Sequence, residues 1–198
     1  PVPVGVAPLA RAAAAVTLAV TLIWLVPPFG LETHEAEQAT LSLAALGHYD
    51  EAIAEAGRAL ELAPASATLN HALGYVLYFS GRPSDAIPAI EKALQLDPAF
   101  GQAYSTLALA RAAAGQTEQA AGILEKVLER NPLDQEAILQ LSNLHIQAGR
   151  FEEAIRVLEP YLKAVAGDAR AMNNQGLALL GLKRFDDARR VLKKAAKL

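Results

Sequence analysis

The chain has no cysteine in its 198 residues. That removes disulfides, thiolate zinc sites, iron–sulfur clusters, c-type haem attachment, cysteine nucleophiles and lipid-modified cysteine anchors. Aromatic residues make up 6% of the sequence against a hydrophobic share of 53%, so the apolar content is carried by Ala and Leu rather than by the residues strands favour; an all-β fold is disfavoured. Positive charge is in deficit, with 18 Lys and Arg against 21 Asp and Glu and a net charge of -3. A chain of that balance has no global attraction to phosphate backbones, so no nucleic-acid partner is expected. No glycine-rich phosphate loop is present. The histidines His34, His48, His71 and His145 are dispersed, without metal-ligand spacing on one helix, and each is expected to be exposed or singly hydrogen-bonded. No nucleophile–base pair or paired carboxylates stand out, so the reading is of a non-enzyme with no catalytic residues, metal or cofactor.

One long apolar run is present, uncharged from Ala12 to Val26. Residues 1–30 form an N-terminal segment in which Leu9 to Val26 reads LARAAAAVTLAVTLIWLV, about 27 Å of helix at 1.5 Å per residue and close to a bilayer core. Pro8 suits a first turn, Arg11 can snorkel, Trp24 and Phe29 fit the far interface, and Pro27, Pro28 and Gly30 are expected to end the helix. A cleavable signal peptide and a helix buried against the rest of the protein are the competing readings. Cleavage is disfavoured because Leu25-Val26-Pro27-Pro28-Phe29 offers no small-x-small site. Pro1 as first residue fits loss of an initiator Met, which implies a retained leader. Arg11 lies before the run, whereas Glu32, Glu35 and Glu37 follow it and no basic residue comes until Arg58, so the N-terminus is expected in the cytoplasm and the remainder across the inner membrane, in the periplasm of a Gram-negative cell. Abundant Ala, with Arg in excess of Lys, suggests a GC-rich bacterial source.

Beyond the leader the sequence repeats. Gly47, Gly81, Gly115 and Gly149 stand 34 residues apart, as do Ala52, Ala86, Ala120, Ala154 and Ala188, and Pro64, Pro98 and Pro132. A series of small residues keeps the same step through Thr40, Gly74, Ala108, Ser142 and Gly176. Each copy reads as two amphipathic helices of about 14 residues, turned at the Gly and ended by the Pro. The small residues let backbones approach, while Leu73, Leu107 and Leu141, then Ile90, Leu124, Leu158 and Leu192, fill the space between helices. One such unit cannot bury its apolar face, but five stacked units can.

These residues resemble the tetratricopeptide repeat (TPR) family from His34 to Leu198. The resemblance implies an all-α, right-handed α-solenoid of helix-turn-helix repeats at 33–66, 67–100, 101–134, 135–168 and 169–198, here preceded by a transmembrane helix at 9–26. Departures fall at Ala36, Asn70, Ile138 and Met172, where the family favours a large aromatic, at Ala166 in place of the terminal Pro, and at Lys183 in place of the turn Gly. Pro88 and Pro160 fall within second helices, where each removes one backbone donor and is expected to kink its helix.

The resemblance also implies a concave groove lined by first helices. Its positions fall here on Glu37 and Leu41, on His71, Tyr75 and Tyr78, on Ser105, Leu109 and Ala112, on Leu139, Asn143 and Ile146, and on Asn173 and Leu177. Members that clasp acidic chaperone tails use Lys, Arg and Asn at these positions; no Lys or Arg occurs among them here, which argues against that function. Small residues on the floor and tyrosines on one wall suit an apolar or amphipathic helix of a protein partner, although Tyr75 and Tyr78 could equally pack on neighbouring helices. Charge is asymmetric along the array: seven acids face only Arg58 between Glu32 and Glu61, while Arg189, Arg190, Lys193, Lys194 and Lys197 crowd the far end. That basic end reads either as a solvated polar cap or as a dock for an acidic protein face or anionic lipid. The functional expectation is a membrane-anchored scaffold, assembly factor or accessory subunit of a membrane or envelope complex, with a soluble exported adaptor as the alternative.

Overall fold

The computed structural model describes the chain from residue 29 to residue 198, with side chains from Thr33 onward. The expected span at 9–26 lies outside the described residues. Among the described residues no helix is long and apolar enough to cross a membrane.

Ten helices follow one another without a strand among the described residues: α1 (Phe29–Ala45), α2 (Tyr49–Leu62), α3 (Ala67–Phe79), α4 (Pro83–Leu96), α5 (Gly101–Ala113), α6 (Thr117–Arg130), α7 (Gln135–Gln147), α8 (Phe151–Ala164), α9 (Ala169–Gly181) and α10 (Phe185–Ala195). They pair as five hairpins, and each hairpin packs on the next to form a helical solenoid. α1 starts earlier than the repeat pattern suggests: Gly30, expected to end the leader, lies in its first turn.

The turn inside each hairpin explains the glycine series. Gly47, Gly81, Gly115 and Gly149 have φ between 72 and 81°, the left-handed conformation that lets the following N–H reach back to a carbonyl five residues earlier, as in Arg82 N to Leu77 O at 2.9 Å and Arg150 N to His145 O at 2.8 Å. Lys183 holds the fifth position at φ 60°, and Arg184 N still donates to Leu179 O at 2.9 Å. The start of each later first helix is set by the same period: Ser66, Asp134 and Asp168 accept backbone N–H bonds through their side-chain oxygens. Phe100, at the equivalent position of α5, makes no such bond.

Ala52, Ala86, Ala120, Ala154 and Ala188 are all fully buried, as close contact between paired helices requires. The facing small series varies in how it is satisfied. Thr40 and Ser142 turn their hydroxyls onto their own helices, donating to Ala36 O at 2.8 Å and Leu139 O at 3.0 Å. At Gly74 there is no room for a side chain, since an added Cβ would sit 2.3 Å from Ile90 Cγ1 and 3.1 Å from the Ala86 carbonyl oxygen.

Positions that lack the large aromatic are compensated one repeat at a time. Ile138 shares a cluster with Tyr161 from α8, and Asn70 Nδ2 donates to Ser66 O at 2.7 Å. In the first repeat Ala36 and Ala59 are both small, leaving a hollow of about 300 Å³ bounded also by Leu62, Ala63 and Leu69. α4 and α8 run unbroken through Pro88 and Pro160. Both prolines are exposed, which places the lost backbone donor on the solvent side, where water can serve the freed carbonyl.

Candidate functional site

The first helices of the last four hairpins together form a groove of about 670 Å³. Its lining comes only from α3, α5, α7 and α9, the consequence of a stack in which each first helix lies beside the next. Ala108, Leu109, Ala112 and Ala113 from α5 make an apolar floor, to which α7 adds Leu139 and Leu144. The other wall is polar, with Gln140, Asn143 and Gln147 from α7 and Asn173 and Asn174 from α9.

Of the residues expected in the groove, Tyr78, Leu109, Ala112, Leu139, Asn143 and Asn173 line it. His71, Tyr75, Ser105 and Ile146 do not, nor do Glu37, Leu41 and Leu177; packing accounts for His71 and Tyr75. His71 Nε2 shares a 2.9 Å hydrogen bond with Thr106 Oγ1, and the same hydroxyl lies 3.1 Å from Gln102 O. The His71 ring packs edge-to-face with Phe100, centroids 4.8 Å apart, and burial lowers its pKa from the usual histidine value. His71 thus joins α3 to α5. Tyr75 packs on the cluster of Ala44, Ala52 and Val76, so it belongs to the joint between the first two hairpins. Ser105 and Ile146 are half-buried beside the lining.

The lining also holds residues that the sequence reading did not place there: Ala108 and Ala113 from α5, Glu136, Gln140, Leu144 and Gln147 from α7, and Arg170 and Asn174 from α9. Arg170 and Glu136 stand on the groove wall, so one cation is present, offset by one acid. Gln140 donates from Nε2 to Glu136 Oε1 at 2.8 Å and leaves its Oε1 without a partner among the described residues. Phe79 is 47% exposed and carries an aromatic edge beyond Tyr78, with ring centroids 4.5 Å from Tyr75 and 4.9 Å from Tyr78. The cue for Phe79 was its place directly after Tyr78 and four residues after Tyr75 at the end of α3. For Gln140, Gln147 and Asn174 there was none, because an Asn or Gln on a first helix reads equally well as an exposed polar residue.

The polar wall is braced from behind. Asn174 Nδ2 donates to Ser142 Oγ at 3.0 Å and to Leu139 O at 3.3 Å. At the head of α9 the buried Asp168 carboxylate accepts from Tyr161 OH at 2.8 Å, Gln135 Nε2 at 2.6 Å, and the N–H groups of Arg170 and Ala171 at 2.9 and 3.2 Å. Burial alone pushes its pKa up, but the four donors outweigh burial and hold it below the ordinary carboxylate range. Burial and the neighbouring carboxylate raise the Tyr161 pKa. Three helices are thereby pinned at the end of the groove.

The other histidines are unlike one another. His34 is exposed, and His48 Nδ1 lies 3.0 Å from Glu51. His145, expected to be exposed or singly bonded, is instead buried, and its Nδ1 has no partner among the described residues. Burial first, then Arg150, lowers its pKa against the opposing pull of Glu153, Glu125 and Glu118. Among the described residues no group of three or more His, Asp or Glu is placed to hold a metal ion.

At the far end Arg189, Arg190, Lys193, Lys194 and Lys197 are all exposed. Arg190 pairs with Asp187, as does Arg184 at 2.7 Å. These two hydrogen-bonding guanidinium groups lower the Asp187 pKa.

Three sequence models of the tetratricopeptide repeat family match, over residues 39–99, 111–173 and 169–198. No curated protein matches the chain. Among solved structures, a MamA protein is similar with a TM-score of 0.70 and 26% identity over 85% of this chain and 92% of that one. YrrB, described as a TPR protein with an unusual peptide-binding site, matches at TM-score 0.64 and 23% identity over 86% of this chain and 92% of its own. A tetratricopeptide repeat protein from Parabacteroides merdae matches at TM-score 0.72 and 19% identity over 84% of this chain and 66% of its own. The last two likenesses are of fold.

Proposed function

The chain belongs to the tetratricopeptide repeat family, and on that premise we propose that it is a membrane-anchored scaffold, assembly factor or accessory subunit that holds a protein partner of a membrane or envelope complex in the groove on its first helices. The observation that carries the reading is the groove's two-sided lining. An α5 floor of Ala and Leu faces a wall of carboxamides from α7 and α9. Such a surface suits an amphipathic segment, whose apolar stripe lies on the floor and whose polar groups exchange hydrogen bonds with the exposed Asn143 and Asn173. One Arg and one Glu leave the groove without a strong field, which disfavours a highly charged tail as the occupant. YrrB, described as binding peptide, is a precedent on this fold. In this reading residues 9–26 span the inner membrane with the N-terminus cytoplasmic and the repeats periplasmic, on the strength of apolar length and flanking charge.

Affinity purification from mild-detergent membranes tests the groove. Tyr78→Ala with Asn143→Ala should lose the captured partner while helix content stays unchanged, since both residues line the groove and neither is fully buried; interface anchors of this kind are worth about 2 kcal/mol or more each. A partner retained by the double variant would move the interface off the groove. Carbonate washing tests the anchor separately: release of the chain into the supernatant would refute the span and leave the exported adaptor as the reading.

A further inference from the structure

The two outermost helix faces of the solenoid are polar, and they are polar in complementary ways. Leu69, Ala103, Ala137 and Ala171 occupy one register position in successive first helices and are all fully buried; in α1 that position is Glu35, which is exposed. Ile87 and Ala121 occupy one position of the second helices and are buried; in α10 that position is Arg189, which is exposed. These positions meet between neighbouring repeats. Ile87 shares a core cluster with Ala103, and Ala121 shares one with Ala137, sixteen residues on in each case.

From this register we propose that the chain associates end to end with a second copy of itself, the basic face of α10 of one copy docking on the acidic face of α1 of the next as though a sixth repeat followed. Five repeats of 34 residues bring Glu35 of the second copy sixteen positions past Arg189, so the two charges meet where Ile87 meets Ala103. Three further contacts between repeats, continued across the junction, are also compatible. Ile90 with Leu107 and Leu124 with Leu141 become Leu192 with Ala39 of the second copy. The bond of His71 to Thr106 and that of the Leu139 carbonyl to Asn174 give Asn173 opposite Gln38 of the second copy. The ion pair of Glu118 with Arg150 at 3.0 Å gives Asp186 opposite His48 of the second copy. Glu35, Gln38, Ala39, His48, Asn173, Asp186 and Arg189 are all exposed. A repeat array is stabilised by neighbour interfaces of one recurring geometry, and a head-to-tail contact of this kind does not close on itself, so it propagates into short rods. Its polar, charge-matched character makes it reversible and salt-sensitive.

Sedimentation velocity of the full chain in mild detergent, over a range of protein concentrations and at about 0.05 M and 0.5 M salt, reads the association. The expected result is concentration-dependent growth at low salt that disappears at high salt. Arg189→Glu and Glu35→Arg, each alone, place like charges at the junction and should weaken association about tenfold or more; the double variant restores opposite charges and should recover it. A chain that stays monomeric at low salt overturns the proposal. So does association indifferent to both single reversals, the result expected if the leader or the groove mediates it, and so does binding of anionic lipid vesicles by the Arg189 face without self-association. A partner still captured by Tyr78→Ala with Asn143→Ala while the rods persist would count against the groove reading alone.

Discussion

Two residues carry opposite kinds of exception to the repeat. Lys183 holds a left-handed φ of 60° where the four earlier repeats use Gly, and a residue with a Cβ pays about 1–2 kcal/mol for that conformation. Lys183→Gly should therefore raise stability by about 1 kcal/mol, the gain being trimmed by the greater freedom of Gly in the unfolded chain; denaturant unfolding would read it as a higher midpoint at unchanged slope. Asp168 is the reverse case, a buried charge held by four donors. Its folded pKa lies below the ordinary carboxylate value, so the ionised form is favoured on folding. The stabilisation is complete above the unfolded pKa of about 4 and is lost as pH falls through the folded value. Asp168→Asn removes an acceptor set that a carboxamide cannot reproduce, at a cost of about 1–3 kcal/mol near neutrality. The difference between the variant and the original chain should shrink as unfolding is measured at successively lower pH below about 4.

Within and between helices the decisive quantity is how closely two backbones approach. Gly74 on α3 would place a Cβ 2.3 Å from Ile90 Cγ1 and 3.1 Å from the Ala86 carbonyl oxygen. A side chain can rotate away but the carbonyl is fixed by α4, so Gly74→Ala should destabilise by about 1–3 kcal/mol. Gly57 in the middle of α2 has nothing within 4 Å of such a Cβ, and Gly57→Ala should stabilise by about 0.5–1 kcal/mol through helix propensity. Opposite signs for the same chemical change, read by thermal unfolding, would verify the packing. This scale was also the most legible in the sequence. Fully buried alanines and left-handed glycines recur because a small side chain fits the contact and glycine adopts the φ without strain, so a 34-residue period exposes them. The groove was harder to read. Tyr75 and Tyr78 lie three residues apart on α3, yet one packs on Ala44 and Ala52 while the other reaches the groove, because the outcome depends on what α1 and α5 present to them. The amide wall depends likewise on α7 and α9 standing side by side, a relation between residues 26 to 34 positions apart that no single helix pattern carries.

At the scale of the whole solenoid, hairpins touch only their neighbours, so cooperativity must pass through each interface in turn. Ala120 sits at the centre of that chain of interfaces. It is fully buried and shares a cluster with Ala108, Leu124 and Leu141, which join α5, α6 and α7. Ala120→Leu adds methylenes where helices meet and should cost about 1–3 kcal/mol, as should Ala188→Leu in the last hairpin, where Ala188 is equally buried. The consequences for the molecule differ although the local costs match. A weakened centre separates α1–α4 from α7–α10, so hydrogen exchange should rise across α5 and α6 and unfolding should broaden or split into two steps. A weakened end leaves four hairpins coupled, so exchange should rise in α9 and α10 alone with the main transition kept. Equal loss of protection throughout the chain in both variants would mean that the described helices unfold as one indivisible unit, and the nearest-neighbour picture of the array would have to be abandoned.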